Sequence, residues 1–252
     1  MTRGSAALAI SQGLSVWVME APDGFGDAAS HSHHAIQITA SLRGHLRLTG
    51  ANGAVEGAAL AVKAGARHSL DASGTLAMVF VEPESSLGRR LDAALFAEDE
   101  IMALRPEMAA NLAPLEKALR GAPDRKAMLQ IGRQALSQFE PVSPPKAGEV
   151  DPRIRRIIDH AAENLDGPLS LTEAARGIYL SPSRLRHLFV EQTGLPFKTY
   201  LLWLRLVRAL DAYSSGSSLT EAAHLAGFSD SAHFSRTFRR TFGLPATTLT
   251  RI

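Results

Sequence analysis

Two stretches of this chain repeat each other, and no other feature restricts its fold as strongly. Ser170-Leu171-Thr172-Glu173-Ala174-Ala175 returns 48 residues later as Ser218-Leu219-Thr220-Glu221-Ala222-Ala223. Leu185, Phe189, Gly194, Leu195 and Pro196 return 49 residues on as Phe234, Phe238, Gly243, Leu244 and Pro245. Each copy opens on a Ser-x-x-Glu capping box, in which the serine satisfies a free amide of the first turn and the glutamate reaches back to the cap residue. The small residues that follow allow close packing against a neighbour. A turn is expected near residues 179–181 in the first copy and 227–230 in the second. A second helix then ends at a glycine, with a proline beyond it that blocks continuation. The pattern predicts a helix-turn-helix, twice.

The outward faces of the second helices decide what such a pair does. Ser183, Arg184, Arg186 and His187 surround the apolar Leu185 and Phe189. Ser231, His233, Ser235, Arg236, Arg239 and Arg240 surround Phe234 and Phe238. Such a face suits a major groove, where arginine reads guanine edges bidentately and serine reaches many bases. A merely solvated basic face is common for one helix, and two copies at matching positions weigh against it. Between the copies, residues 197–213 are apolar around most of a helix circumference, which predicts a buried core element. Lys198, Arg205 and Arg208 form a narrow basic stripe on it. At about 1.5 Å per residue this helix spans roughly 25 Å, commensurate with holding two reading helices about one DNA turn, roughly 34 Å, apart.

The 252 residues are enough for two domains. Residues 1–150 hold 14 Lys/Arg against 16 Asp/Glu, and residues 151–252 hold 13 against 9. The half that bears the repeat is therefore the basic one, as a polyanionic partner requires. The absence of cysteine excludes a disulfide scaffold, a thiolate metal site and a cysteine nucleophile, and it fits a reducing compartment. No apolar run reaches the roughly 18 residues of a membrane span. The mildly apolar start reads as a strand rather than a signal peptide, and the expected location is the cytoplasm.

Residues 5–84 alternate over short stretches (Ile36, Ile38, Ala40 and Leu42 against Gln37, Thr39 and Ser41), which predicts a small sandwich or barrel. From 86 to 139 the period becomes helical. Leu87, Leu91, Leu95 and Ile101-Met102 suit one helix, Leu112, Leu115 and Leu119 another, and Met128, Ile131, Ala135, Leu136 and Phe139 a third. Their apolar faces serve either packing on the sheet or a dimer interface. Residues 140–150, with three prolines and no period, predict a linker.

Residues 151–252 resemble the DNA-binding domain of AraC/XylS transcription regulators. The run GFSDSAHFSRTFRRTFGLP (227–245) is similar to that family's signature almost throughout, and LSPSRLRHLF (180–189) is similar to its first reading helix. Asp151-Pro152 would cap the leading helix. The resemblance implies base reading by Ser183, Arg186 and His187 and by Ser231, Ala232 and Arg236. It implies phosphate contacts, which position without specifying, by Thr172, Arg184, Lys198, Arg239 and Arg240. The first half resembles the cupin-type regulatory domain that often precedes this module. His31-Ser32-His33-His34, then Gln37, then Gly44 is similar to the first cupin motif, and Gly65-Ala66-Arg67-His68 to the second. Gln37 stands where metal-binding cupins have a glutamate.

The expected architecture is α+β in two domains. Residues 1–139 form a small cupin-like β-barrel (strands to about 84) plus amphipathic helices (about 86–139), residues 140–150 a linker, and residues 151–252 an all-α bundle of two helix-turn-helix motifs joined by a central helix. The expected function is sequence-specific regulation of transcription, without enzymatic activity or cofactor. Its partners are double-stranded promoter DNA, a small-molecule effector, a second copy through 86–139, and RNA polymerase if the protein activates; no membrane is involved. The alternative is a metal-dependent cupin enzyme or metal sensor, with His31, His33 and His68 as imidazole ligands suited to Zn, Ni, Cu or Fe. Against it, His31, His33 and His34 read equally as exposed strand-edge side chains and His68 as a turn residue. Arg43, Arg47, Arg67 and Arg89 offer themselves to an anionic effector. Asp159, His160 and Glu163 read as the solvated side of a helix.

Overall fold

A computed structural model describes residues 5–21, 23–24, 29–139 and 150–249; apart from Val150, the expected linker lies outside them. The described strands are β1 (Ala6–Ser11), β2 (Leu14–Ala21), β3 (Ile36–Arg43), β4 (Leu46–Gly50), β5 (Gly53–Glu56), β6 (Ala59–Val62), β7 (Ser69–Ala72), β8 (Gly74–Val81) and β9 (Ile101–Ala103). They make two sheets, a large one in the order β1-β2-β8-β3-β6-β9 and a small one in the order β5-β4-β7. Side chains alternate across a strand, so the large sheet buries two different faces. Trp17, Met19, Leu76, Met78 and Phe80 point toward Leu46, Leu48 and Leu70 of the small sheet. Val16, Val18, Ile36, Ile38 and Val79 point the other way.

That second face is covered by α1 (Ser86–Leu95), α2 (Glu107–Leu112), a 3-10 turn (Ala113–Leu119) and α3 (Arg125–Ser137). Leu91, Leu112, Leu115, Met128 and Leu136 pack on it. Of the two roles expected for these apolar faces, sheet packing is the one observed. Gly132 permits the approach of α3, because a Cβ there would lie 2.7 Å from Val16 Cγ2. Ile101 and Met102 correct the expectation of a helix: they pair with Val62 and Ala61 of β6. Two adjacent apolar residues carry no period of their own, and the open edge of β6 takes them.

The C-terminal part is helical: α4 (Pro152–Glu163), α5 (Leu171–Ala174), α6 (Pro182–Thr193), α7 (Phe197–Ser214), α8 (Leu219–Leu225) and α9 (Ser231–Phe242). Asp151 caps α4, with Pro152 at its first position. Both capping boxes are made, Ser170 with Glu173 and Ser218 with Glu221. Helices α6 and α9 both end at left-handed glycines, Gly194 (φ 74°) and Gly243 (φ 71°). The central α7 is buried along most of its length, but not by the two motifs alone. Phe197, Tyr200 and Leu201 join a core with α4, α5 and α6. Trp203, Leu206, Leu210 and Tyr213 join the second motif and the inner face of the β-sandwich in one continuous core. The basic stripe expected on α7 is largely absorbed. Arg205 donates to the carbonyls of Leu165 and Gly167, and Arg208 pairs with Asp166 at 2.9 Å. Lys198 remains exposed. No helix among the described residues is long and apolar enough to cross a membrane.

Candidate nucleic-acid interface

Helix α6 is built to show one face and hide the other. Ser181 caps it by accepting from the Arg184 amide, Pro182 starts it, and Leu185, Leu188 and Phe189 anchor it. Ser183, Arg186 and His187 are left exposed beside Arg184. Helix α9 repeats the construction. Asp230 accepts from the His233 amide at 2.6 Å, and that bond, with the Ser229 hydroxyl and nearby Arg236, holds its carboxyl below the usual range. Phe234, Thr237, Phe238 and Phe242 anchor the helix. Ala232, Arg236, Arg239 and Arg240 are exposed and Ser231 half-buried. Thr172 is also exposed, at the start of α5. Among the described residues, the side chains of Arg186, His187, Lys198, Arg236, Arg239 and Arg240 make no hydrogen bond or ion pair. Ten of the eleven expected contact residues are therefore exposed, on or beside the two second helices.

The other expected residues fare differently. Arg43 pairs with Glu116, Arg47 with Glu56 at 3.6 Å, Arg67 donates to Ser30 O and Arg89 to Glu84 O. Each of the four therefore has a partner inside the molecule, while the Arg43 and Arg47 side chains stay largely exposed as surface charges. His160 is exposed, as expected of a solvated helix side.

The histidines are not exposed edge residues: His31, His33, His34 and His68 are all buried. His31 and His68 bridge through their backbones, N–H to O at 2.8 and 2.9 Å. One ring nitrogen from each of His31, His33 and His68 lies within 4.8 Å of the others. In all three, Nδ1 lies 2.9–3.0 Å from a backbone carbonyl, of Ala29, Ala35 and Ala66 respectively. A carbonyl only accepts, so Nδ1 of His31 and of His68 carries the proton, whereas both ring nitrogens of His33 face acceptors. Burial is the main cause that keeps the rings neutral, pushing His33 to about 3 and His68 to about 4. The Gln37 amide sits 2.7 Å from His33 Nε2. The atom that faces it is the amide oxygen Oε1, while Gln37 Nε2–H donates to Thr39 Oγ1 at 2.7 Å. His68 Nε2 is buried with no partner among the described residues.

His34 turns away from this group and enters a contact that spacing did not predict. Its Nε2 lies 2.8 Å from Glu84 Oε2, Tyr200 of α7 donates to Glu84 Oε1 at 2.6 Å, and Trp203 donates to Glu82 Oε1 at 3.2 Å. The β-sandwich is thus bonded to the helix between the two motifs. At the far end of α7, Arg125 reaches Asp211 and the Ser215 hydroxyl.

Residues 174–252 match a family of helix-turn-helix domains. The HTH-type transcriptional regulator GbdR of Pseudomonas aeruginosa is 33% identical over 99 residues, 39% of this chain and 27% of that protein. The chain thus spans about a quarter of that relative's length. NimR of Escherichia coli K12, also an HTH-type transcriptional regulator, is 25% identical over 226 residues, 84% of this chain and 78% of the other. The crystal structure of ToxT from Vibrio cholerae O395 superposes over 100% of both chains with a TM-score of 0.60 at 13% identity, and so shares the fold. The C-terminal part of this chain is thus similar to helix-turn-helix domains over residues 174–252, and the chain as a whole shares the fold of the ToxT structure.

Proposed function

We propose that the protein is a sequence-specific DNA-binding regulator of transcription whose two second helices enter successive major grooves. In this reading Ser183, Arg186 and His187 on α6, and Ser231, Ala232 and Arg236 on α9, contact base edges. Thr172, Arg184, Lys198, Arg239 and Arg240 contact phosphates. The division into a regulatory part (1–139), a linker (140–150) and a DNA-binding part (151–252) belongs to the same proposal, as does a cytoplasmic location. One observation supports it: in both copies of the motif the apolar side is buried while the arginines stand exposed, without a hydrogen bond or ion pair among the described residues. The relatives that match are named as regulators of transcription, and the enzyme alternative draws no support from them.

Control would come from the β domain. An effector has room in a cleft of about 690 Å³ between the start of the β-sandwich, α4 and α7, lined by Ile10, Glu82, Ile158, Tyr200, Leu204 and Val207, a volume typical of small-molecule sites. Self-association through 86–139 would have to use the outer sides of α1 to α3, since the apolar sides are spent on the sheet. Contact with RNA polymerase follows if the protein activates.

Selection of bound sequences from a random duplex pool, followed by gel shift and footprinting, tests the reading. A protected region over two adjacent major grooves is expected, with affinity that falls steeply with salt as counterions are released. Arg186→Ala and Arg236→Ala should each weaken binding by about 1–3 kcal/mol and relax specificity, each in its own half of the site. Failure to enrich any sequence, or a footprint confined to one groove, refutes the two-helix reading.

A further inference from the structure

The first helix-turn-helix holds a groove whose lining the second does not repeat. It lies between α5, α6 and the start of α7 and measures about 350 Å³, within the range of small-ligand sites. Buried Leu185, Phe189 and Phe197 and the more exposed Leu171, Pro182 and Val190 make its lining apolar. Where the first copy has Pro182, Val190 and Phe197, the second has Ser231, Arg239 and Ala246, 49 residues on. Val190 is the telling position. It lines the groove while 41% exposed, and its counterpart is a solvated arginine. The shared motif therefore stands without an apolar side chain there.

The polar members of the same lining have one sign. Arg186 and Lys198 are exposed, and neither side chain makes a hydrogen bond or ion pair among the described residues. Thr172 adds a hydroxyl, and no carboxylate is among the lining residues. An apolar groove edged by two unpaired cations and a hydroxyl matches a compact apolar body that carries an oxyanion. The body leaves water on entering the groove, and the oxyanion meets both cations, the arginine through its planar fork. A phosphate monoester brings two charges and three terminal oxygens to these three groups, where a carboxylate brings one charge and two oxygens.

We propose that this groove binds a small phosphate monoester with an apolar body, the body between α5, α6 and α7 and the phosphate on Thr172, Arg186 and Lys198. The site belongs to the first copy alone and is separate from the cleft beside α4. Its three polar residues are also those assigned above to DNA, so ester and duplex exclude each other at α6 while α9 keeps its own contacts. That regulatory consequence rests on the DNA-binding reading; the site itself does not.

The full chain is titrated by calorimetry with 1-naphthyl phosphate and, in parallel, with 1-naphthol and with inorganic phosphate. One equivalent of the ester is expected to bind, about tenfold or more tighter than either part alone, since the linked parts bind as one. Val190→Trp fills the groove from an exposed position and should abolish binding. Lys198→Gln should weaken it by about fivefold. No binding of the ester, or unchanged binding in Val190→Trp, overturns the site. Equal affinity for ester and 1-naphthol overturns the phosphate class. If a second copy covers the groove instead, sedimentation will show a dimer that Val190→Trp dissociates, and the ligand reading fails. On a selected duplex, the ester should weaken binding by wild type and have no effect on Val190→Trp. Ester bound without any loss of duplex overturns the exclusion. A chain that binds the ester but no duplex supports the site and refutes the DNA reading instead.

Discussion

The two helix-turn-helix copies are built alike and seated differently. Their capping boxes, their buried Leu185/Phe234 and Phe189/Phe238 anchors and their left-handed glycines correspond. The first copy closes its own core with α4 and the start of α7. The second has no core of its own: its aromatic residues run on into the β-sandwich. Phe238, stacked on Trp17, contributes to this, and one side chain sets the two copies apart. Where α6 ends with Thr193, whose hydroxyl turns back to Phe189 O at 2.7 Å, α9 ends with Phe242, which sits among Trp17, Phe80 and Trp203. Beyond Thr193 a cleft of about 400 Å³ separates the first copy from His34, Pro83 and Arg89. A duplicated module has thus become one copy with its own core and one copy held by the β-sandwich.

Removing Phe242 is the largest blow to that difference. Phe242→Ala takes a ring 5% exposed out of a packed aromatic group and should cost about 3–5 kcal/mol. Hydrogen exchange should rise in 231–242 and stay unchanged in 182–193. An equal rise in both would mean that the copies are seated alike.

The closing glycines give a matched pair. An L-residue in the left-handed region costs roughly 1–2 kcal/mol, and this is all that Gly194→Ala should show in thermal unfolding, because its Cβ meets nothing within 4 Å. Gly243→Ala adds the collision with His31 and Ala29 and should cost clearly more. Equal losses would mean that the end of α9 does not rest on His31 and Ala29.

Much of this was legible beforehand and some was not, for physical reasons. The duplication, both capping boxes, both glycine ends and the sidedness of α6 and α9 are local, set by residues within a turn or two, and the sequence carries them. The strand content of 5–84 follows from the two-residue alternation. The docking of α7 on the sandwich does not follow, because an apolar helix says only that it is buried, not by what. Glu84 and Tyr200 are 116 residues apart, and no spacing rule links them. The histidine group lay between the two: its spacing resembled a metal motif, yet only the fold shows that all three rings are buried with their Nδ1 atoms tied. The Thr193/Phe242 mismatch was there to be read in the aligned copies, as the one large apolar residue added to an otherwise shared pattern.

The contact between α7 and the sandwich should respond to pH. Burial, with the nearby Glu84 charge next in weight, raises the Glu82 carboxyl to about 7, against the lowering influence of His34, the Trp203 bond and Arg155. An acid with a raised folded-state pKa keeps a proton that the unfolded chain releases. Its stabilising share is complete below the unfolded value near 4.5 and is lost as pH climbs through about 7. Glu84 shifts downward through its bond to His34, and Tyr200, packed beside both carboxyls, shifts upward. The Glu82 share is therefore isolated by difference: urea midpoints at pH 5 and 8 should fall more in wild type than in Glu82→Gln, which keeps an acceptor for Trp203. A difference that does not change with pH would mean that Glu82 is already ionised in the folded protein.

The smallest effect asks whether the copies differ in anything but their seating. Glu173 and Glu221 each accept from the backbone amide of their serine at 2.8 Å, and Ser170 and Ser218 accept in return at 3.1 and 3.2 Å. Both carboxyls are held below the usual range, Glu173 first by the Ser170 hydroxyl and then the Ser170 amide, Glu221 first by the Ser218 amide, and both boxes are exposed. Ser170→Ala and Ser218→Ala should therefore each cost about 1 kcal/mol, measured as local exchange in α5 and α8. A gap beyond about 0.5 kcal/mol, the usual limit of additivity between independent sites, would show that docking on the sandwich reaches α8 as well as α9. The whole second copy, rather than the end of α9 alone, would then be the part that the β domain holds.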